Sequence, residues 1–312
     1  MSIEVLLSTM NQKDFSLIEK MRITSDAVVV NQCGRDETIV FPKNGKTIKW
    51  INSSTSGLSI SRNICLKNAT ADICLLADDD LEYVDGYETI VSKAFVDYAE
   101  ADIIRFKVEG IEKEFKHYPD KPKRIGFFNS LKSSSVELAF RRSSLSGIRF
   151  DELIGAGTKY CMGEENAFLV HCLRSNAKMM FLPETISRLH FGTSSWRNIT
   201  TEQYLISRGA SFEAMGTHLI HALILQFAVR KRYLYRESFS IAEAIQLMYR
   251  GRRCYQNDKS NTRRVSTASF NDNSSLPIND PIKEHLYTCP NYKKNTKEDC
   301  PSIELMNDIF DR

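Results

Sequence analysis

Short apolar runs alternate with stretches of helical spacing along the first eighty residues. Ile3 to Ser8 is one such run, and Asp14 to Met21 follows with helix-like spacing. Ala27 to Val30 is a β-branched run ended by Asn31-Gln32-Cys33-Gly34. Ile48 to Ile51 reads as a weak third strand, and Gly57 to Ala71 as a helix carrying Leu58, Ile60, Ile64 and Leu66. Ile73 to Ala77 is another strand of the buried type. Runs that are apolar almost throughout, separated by helical stretches, predict parallel strands covered on both faces. The expected fold class is therefore α/β, opening with a Rossmann-like half.

Beyond about residue 81 the alternation loosens. Tyr87 to Ala99 reads as a helix, Asp102 to Val108 as a strand, and the polar stretch through Lys116, Pro119 and Pro122 as a loop. A strand at Val136 to Phe140, a helix at Glu164 to Arg174 and a strand at Lys178 to Leu182 follow, then a long helical segment over about 201–256. After Asn257 the chain turns polar and rich in Asn, Ser, Thr and Asp, which predicts a largely disordered tail. The expected division is an α/β domain over 1–198, a helical extension over 199–257 and a polar tail over 258–312.

A formal charge of only +3 over 312 residues gives no global field toward nucleic acid, so no nucleic-acid partner is expected. The cysteines are dispersed, with no CxxC pair and no Cys/His ladder, which favours a reducing compartment. The opening MSIEVLLSTMNQ carries Glu4 and only a short apolar stretch, unlike a signal peptide. No run approaches the ~20 apolar residues that span a bilayer. The expected location is cytoplasmic, or peripheral on the inner face of the membrane.

Three consecutive aspartates, Asp78-Asp79-Asp80, stand directly after a buried-type strand. Crowding three like charges is costly unless something neutralises them. In an extended segment Asp78 and Asp80 point one way and Asp79 the other. Two hard oxygen ligands at the carboxyl end of a strand suit Mg²⁺ or Mn²⁺ shared with a diphosphate. Taken alone, the triplet fits a solvated acidic turn equally well.

Its surroundings carry a resemblance. The stretch GLSISRNICLKNATADICLLADDDLEYVDGYE resembles the inverting family 2 glycosyltransferases of the GT-A fold, which show an Arg-Asn pair on a small-residue helix, an apolar strand and then Asp-x-Asp. The opening VLLSTMNQ looks like their first strand. Residues from IRFDELIGAGTKYCMGEENAF to SRLHFGTSS are similar to their acceptor half, with a Gly-rich loop, an acidic pair on a helix, a strand and a His. The resemblance covers about residues 1–195 in the expected order.

It implies a donor site in which Thr9 and Asn31 face the nucleotide base, Arg62 lies near the ribose and diphosphate, and Asp78 lies near the ribose. Asp79 either joins the donor-binding residues or is no more than a spacer, and Asp80 ligates Mn²⁺ or Mg²⁺. The implied reaction moves a hexose or N-acetylhexosamine, with inversion, from a UDP-sugar to a saccharide or lipid-linked acceptor in surface-polysaccharide assembly. Arg62 is also open to a plainer reading as a surface partner of nearby acids.

Glu164-Glu165 opens an amphipathic helix, where acids are favoured by the helix dipole alone. The resemblance implies instead that one of them takes the proton of the acceptor hydroxyl. The family usually shows Glu-Asp here with the second as base, which points to Glu165; Glu164 is the alternative base or an acceptor-binding group. His190 is either a structural hydrogen-bonding residue or, as in similar enzymes, the group that completes the metal shell. Gly155-Ala156-Gly157 fits either a tight turn or a place where an acceptor approaches the backbone.

His218 to Arg236 joins an apolar half to Arg230, Lys231, Arg232 and Arg236, and Arg250-Gly251-Arg252-Arg253 adds a second cluster. Such helices lie on anionic membranes or pack on a neighbouring domain with their charges solvated. Two other enzyme classes fit less well. A sugar-nucleotide nucleotidyltransferase resembles its relatives in a Gly-rich basic loop after the first strand, where STMNQKD stands here, and a dinucleotide oxidoreductase needs GxGxxG at that place. A non-catalytic nucleotide-sugar-binding protein of the same fold is the remaining alternative.

Overall fold

A computed structural model of the chain describes residues 1–191 and 200–271, with 263–271 in their backbone alone. The first half runs β1 (Ile3–Met10), a short α1 (Leu17–Lys20), β2 (Asp26–Gln32), β3 (Glu37–Lys43), β4 (Lys46–Ser53), α2 (Leu58–Asn68), β5 (Ile73–Asp78), β6 (Leu81–Tyr83) and α3 (Tyr87–Asp97). The second half runs β7 (Ile103–Gly110), β8 (Lys123–Ile125), α4 (Phe127–Ser130), β9 (Leu138–Arg141), α5 (Glu164–Arg174) and β10 (Met179–Leu189). Three longer helices follow: α6 (Thr201–Ala214), α7 (Ile220–Arg230) and α8 (Ile241–Asn271).

Every residue from Ile3 to Thr9 is buried, so β1 needs a neighbour at each edge and cover on both faces. It is flanked in parallel by β2 and β5, and β4 pairs in parallel with β2. These four strands are the expected Rossmann-like half. The full sheet order is β3-β4-β2-β1-β5-β9-β7-β10-β6, with β8 on β10. The all-parallel expectation stops at β5: β9 lies antiparallel between β5 and β7. Its register sets Leu75 opposite Ala139, so the 3-10 turn at Ser135–Glu137 meets the end of β5 where the aspartates begin.

The edge also differs from the sequence expectation. Instead of one weak strand at 48–51, β3 and β4 form an antiparallel hairpin around Asn44-Gly45. Both turn residues have positive φ, 50° and 77°, as the tight hairpin turn with right-handed strand twist requires.

One hydrophobic core fills the sheet and its covering helices, and a second lies among α6, α7 and α8. Helix α5 joins them, giving Phe168, Leu169 and Cys172 to the first and Ala167 and Val170 to the second. Its N-terminus, with the acid pair, is thereby fixed at the seam. Helices α6 and α8 cross closely through two glycines. A Cβ at Gly209 would stand 1.9 Å from the Met248 carbonyl oxygen, and one at Gly251 1.9 Å from that of Ile206.

The expected start of the tail at 258 falls inside α8, which continues to Asn271. The polar residues there have partners in the α/β half. Asp258 accepts from Tyr160 Oη at 2.6 Å and pairs with Lys159, and Lys259 reaches Asp151 at 2.5 Å. The expected tail beyond Asn271 lies outside the described residues. The six cysteines among the described residues are free thiols.

Candidate active site

Parallel strands bring their carboxyl ends to one edge of the sheet, where α/β proteins bind ligands. The register sets Thr9 beside Asn31 and Ser8 beside Asp78, so three of the expected donor-binding residues share that edge. Thr9 Oγ1 donates to Asp79 Oδ2 at 2.5 Å, and Gln12 Nε2 donates to Thr9 Oγ1 at 3.0 Å. Asp79 is therefore more than a spacer: it holds the end of β1 to the turn after β5. Asn31 is buried with its amide occupied, donating to the Gln12 carbonyl and to Asn52 Oδ1 and accepting from Gln12 N–H. It organises the floor of the edge and leaves no open amide for a base.

The triplet does not stay extended. β5 ends at Asp78, and Asp79 and Asp80 form a turn into β6, so the alternate-face expectation does not apply to them. Asp80 Oδ1 is buried with no hydrogen-bond partner. Burial, followed by the charges of Asp78 and Asp79, pushes its carboxyl up to about 7. A buried carboxylate oxygen without a partner fits a hard cation held by one carboxylate, substrate phosphates and water. The His190 backbone N–H donates to the Asp80 carbonyl at 2.9 Å. Its ring, however, is half exposed and faces other acids, with Nδ1 3.3 Å from Glu112 and Nε2 3.7 Å from Glu82. Among the described residues no group of three or more His, Cys, Asp and Glu forms a ready-made metal cage. Asp80 thus fits a metal shared with a ligand, and His190 supports Asp80 through its backbone.

Arg62 connects the two halves of the site. It is only 1% exposed, so it is no surface partner. Nη2 donates to both oxygens of Asp78 at 3.1 and 3.2 Å and to Ser135 Oγ at 2.7 Å. Nη1 donates to Glu164 Oε1 at 3.3 Å and lies 3.7 Å from Glu165. The Phe150 ring lies 5.4 Å from the guanidinium. Facing three carboxylates, Arg62 is held firmly charged against its burial.

The acid pair is divided by burial. Glu164 is 2% exposed, with Oε2 unpartnered, and the Gly155-Ala156-Gly157 loop closes over it. A Cβ at Gly155 would stand 2.8 Å from Ser59 Oγ and 3.2 Å from the Glu164 carboxyl carbon, and φ there is +118°, so the loop is a tight packed turn. Burial and the neighbouring Glu165 push the Glu164 carboxyl up, and Arg62 opposes this only in part. Glu165 has a side chain 25% exposed and borders an open cleft of about 380 Å³. Ser135 Oγ stands 3.4 Å from both Asp78 and Glu165 and so links the triplet to that carboxylate.

Removing Arg62 leaves these acids without their common counter-charge. Arg62→Gln is expected to cost about 3–5 kcal/mol at pH 8, the usual penalty for breaking a buried ion pair. Without Arg62, Glu164 holds its proton to still higher pH, whereas an unfolded Glu loses it near about 4.3. Wild type itself keeps that proton up to about pH 8, so the two proteins lose stability alike below that pH and the deficit widens as pH rises above it. Urea unfolding of both proteins at about pH 7 and about pH 9.5 measures this; a deficit that does not widen at the higher pH would contradict the cluster.

Ser135, Arg105 and Arg208 also belong to the region, although none stood out in the sequence. Ser135 sits in a serine run with no local signal. Arg105 interrupts the apolar strand β7, and Arg208 stands in a small-residue stretch of α6; each is a charged residue at a buried position. The basic helical segment packs as well. Ile220, Leu223, Ile224, Phe227 and Ala228 of α7 are buried, and Arg250 and Arg252 of α8 pair with Glu202 and Glu213. Leu225, Val229 and Tyr233 stay exposed. Among the described residues no helix is long and apolar enough to cross a membrane.

The fold is a mixed α/β sheet with covering helices, followed by C-terminal helices. It is similar to that of S. aureus TarS 1-349 in complex with UDP-GlcNAc, with a TM-score of 0.54 and 17% sequence identity over 79% of this chain and 76% of that one. TarS 1-349 in complex with UDP gives 0.51 and 16% over 79% and 75%. Against the longer TarS structure the values are 0.53 and 16%, covering 77% of this chain but only 44% of that chain. At such identities the likeness is one of fold. No protein-family model matches the sequence, and no curated protein does.

Proposed function

We propose that this chain is a metal-dependent inverting glycosyltransferase. It moves a hexose or N-acetylhexosamine from a UDP-sugar to a saccharide or lipid-linked saccharide in surface-polysaccharide assembly. The observation that carries this is the place of Glu165, with Ser135 and the aspartate triplet on one side and an open cleft on the other.

The donor lies along the edge made by Thr9, Asp79, Asp78 and Asp80, and the acceptor enters from the cleft. Glu165 takes the proton from the acceptor hydroxyl as its oxygen attacks the anomeric carbon. The bond from that carbon to the diphosphate oxygen breaks on the opposite face, UDP leaves, and the configuration inverts. Mn²⁺ or Mg²⁺ would be held by Asp80 and supply stabilisation of the charge growing on the diphosphate. Arg62 fixes Asp78 and both glutamates in place throughout. Glu164 is too buried to meet an acceptor and serves as the inner partner of Arg62. UDP-GlcNAc and UDP bound to TarS support a uridine-nucleotide donor for this fold.

The test is thermal unfolding with UDP, with and without Mn²⁺, since a ligand of the native state raises its melting temperature. Stabilisation by UDP that needs the metal is expected; no shift with both present would remove the donor assignment.

Peripheral membrane contact is part of the same proposal. Exposed Leu225, Val229 and Tyr233 stand beside exposed Arg230, Arg232 and Arg236 on and just after α7. Flotation with anionic liposomes is expected for the intact protein and should be lost in a Leu225→Glu/Val229→Glu variant. Equal flotation of the two would count against this face.

A further inference from the structure

We propose that the acceptor is acidic: the cleft beyond Glu165 takes a saccharide chain bearing phosphate or carboxylate groups. This rests on the assignment of that cleft to the acceptor. Its walls carry Arg105, Lys116, Lys123, Lys132 and Arg208 against Asp120 and Glu165. Lys116 is accounted for inside the protein. Its Nζ donates to Glu137 Oε2 at 3.0 Å, and Tyr118 Oη donates to the other oxygen of the same carboxylate at 2.6 Å.

The two arginines have no such account. Arg105 is 8% exposed, and its best polar contact is a 3.5 Å bond from Nη1 to Ser133 Oγ. Arg208 is 5% exposed, and its Nη2 donates to Tyr204 Oη at 3.2 Å. The Nε of each is buried without a partner, and among the described residues neither pairs with a carboxylate.

Each guanidinium is instead held on aromatic faces. Phe181 lies 4.9 Å from that of Arg105, while Tyr204 and Phe227 lie 5.4 and 5.2 Å from that of Arg208. Stacking fixes the planar fork and leaves its donors for a ligand, the arrangement suited to two-pronged recognition of phosphate or carboxylate. A buried charge without a counter-ion is costly, and an anion entering the cleft removes that cost. The arginines come from β7 and α6, so both cores contribute to the same cleft. A neutral acceptor would leave both unpaired beneath it.

The experiment uses the full chain with UDP and Mn²⁺ present. Fluorescence anisotropy follows binding of three labelled probes: an oligogalacturonate, a glycerol-phosphate oligomer and neutral chitotetraose. At least one acidic probe is expected to bind about tenfold tighter than the neutral one and to weaken between 50 and 300 mM salt. Whichever acidic probe binds distinguishes carboxylate from phosphate. Arg208→Gln should lose about tenfold of that affinity. Because Arg208 is buried, the exposed Lys123→Glu serves as a second variant, and it should weaken the acidic probe several-fold while leaving the UDP shift intact.

Equal binding of acidic and neutral probes, or acidic binding indifferent to both variants, would overturn the inference. UDP stabilisation without acidic binding would also overturn it and leave the transferase proposal standing. Variant-sensitive acidic binding without any UDP effect would uphold the anion cleft and remove the transferase proposal.

Discussion

Asp80→Asn is expected to make the ligand-free protein more stable at pH 8 and to erase its stabilisation by UDP with Mn²⁺. An unfolded aspartate ionises near about 3.9, whereas the native carboxyl holds its proton up to about 7. Between these values the native state binds more protons, so stability falls as pH rises through the window. Above it the full cost of an ionised, crowded carboxylate is present. Asparagine removes that cost, a gain of about 1–3 kcal/mol at pH 8 once partial solvent exposure is allowed for, and close to nothing at pH 4. The same substitution deletes the unpartnered oxygen that fits a cation. Urea unfolding at the two pH values, with thermal scans in UDP and Mn²⁺, checks both halves. A destabilised Asp80→Asn protein at pH 8, or one that still responds to metal, would show that the acid is structural.

Glu165→Gln is expected to lower kcat by about 10²–10⁴ while leaving UDP affinity unchanged, the usual scale for loss of a general base. Exposure distinguishes the two acids: Glu165 reaches the cleft, whereas Glu164 is enclosed by Arg62 and the Gly155 loop. Glu164→Gln should therefore cost much less in kcat and show its effect chiefly in the pH dependence of stability. Steady-state transfer and UDP titration on both variants separate the roles. A larger kcat loss in Glu164→Gln would give it the base role.

Strands β1, β2 and β5 were legible because each is apolar nearly throughout, which only burial on both faces explains, whereas β4 alternates and read only as a weak strand. The β3–β4 hairpin was missed although Asn44-Gly45, a strong local turn signal, stands in the sequence. No local signal marks β9 as antiparallel, because its direction is set by β5 and β7, distant in sequence. The polar residues after Asn257 looked like a tail because their partners, Asp151, Lys159 and Tyr160, lie about a hundred positions earlier. At the site, the aspartates and the acid pair were visible as residues, but not their division. Burial separates Glu164 from Glu165, and a turn separates Asp80 from Asp78. Arg62 was expected beside a ribose, and its place at the centre of three carboxylates depends on two glutamates more than a hundred positions away as well as on Asp78.

The central claim is turnover at a site built from Asp80 and Glu165. Its most direct test is UDP release from a panel of UDP-sugars with Mn²⁺ and saccharide acceptors, followed by NMR assignment of the product's anomeric configuration. Metal-dependent release, inverted product and loss of both in Glu165→Gln are expected. Metal-dependent UDP binding with no release from any donor, or a product of retained configuration, would contradict it.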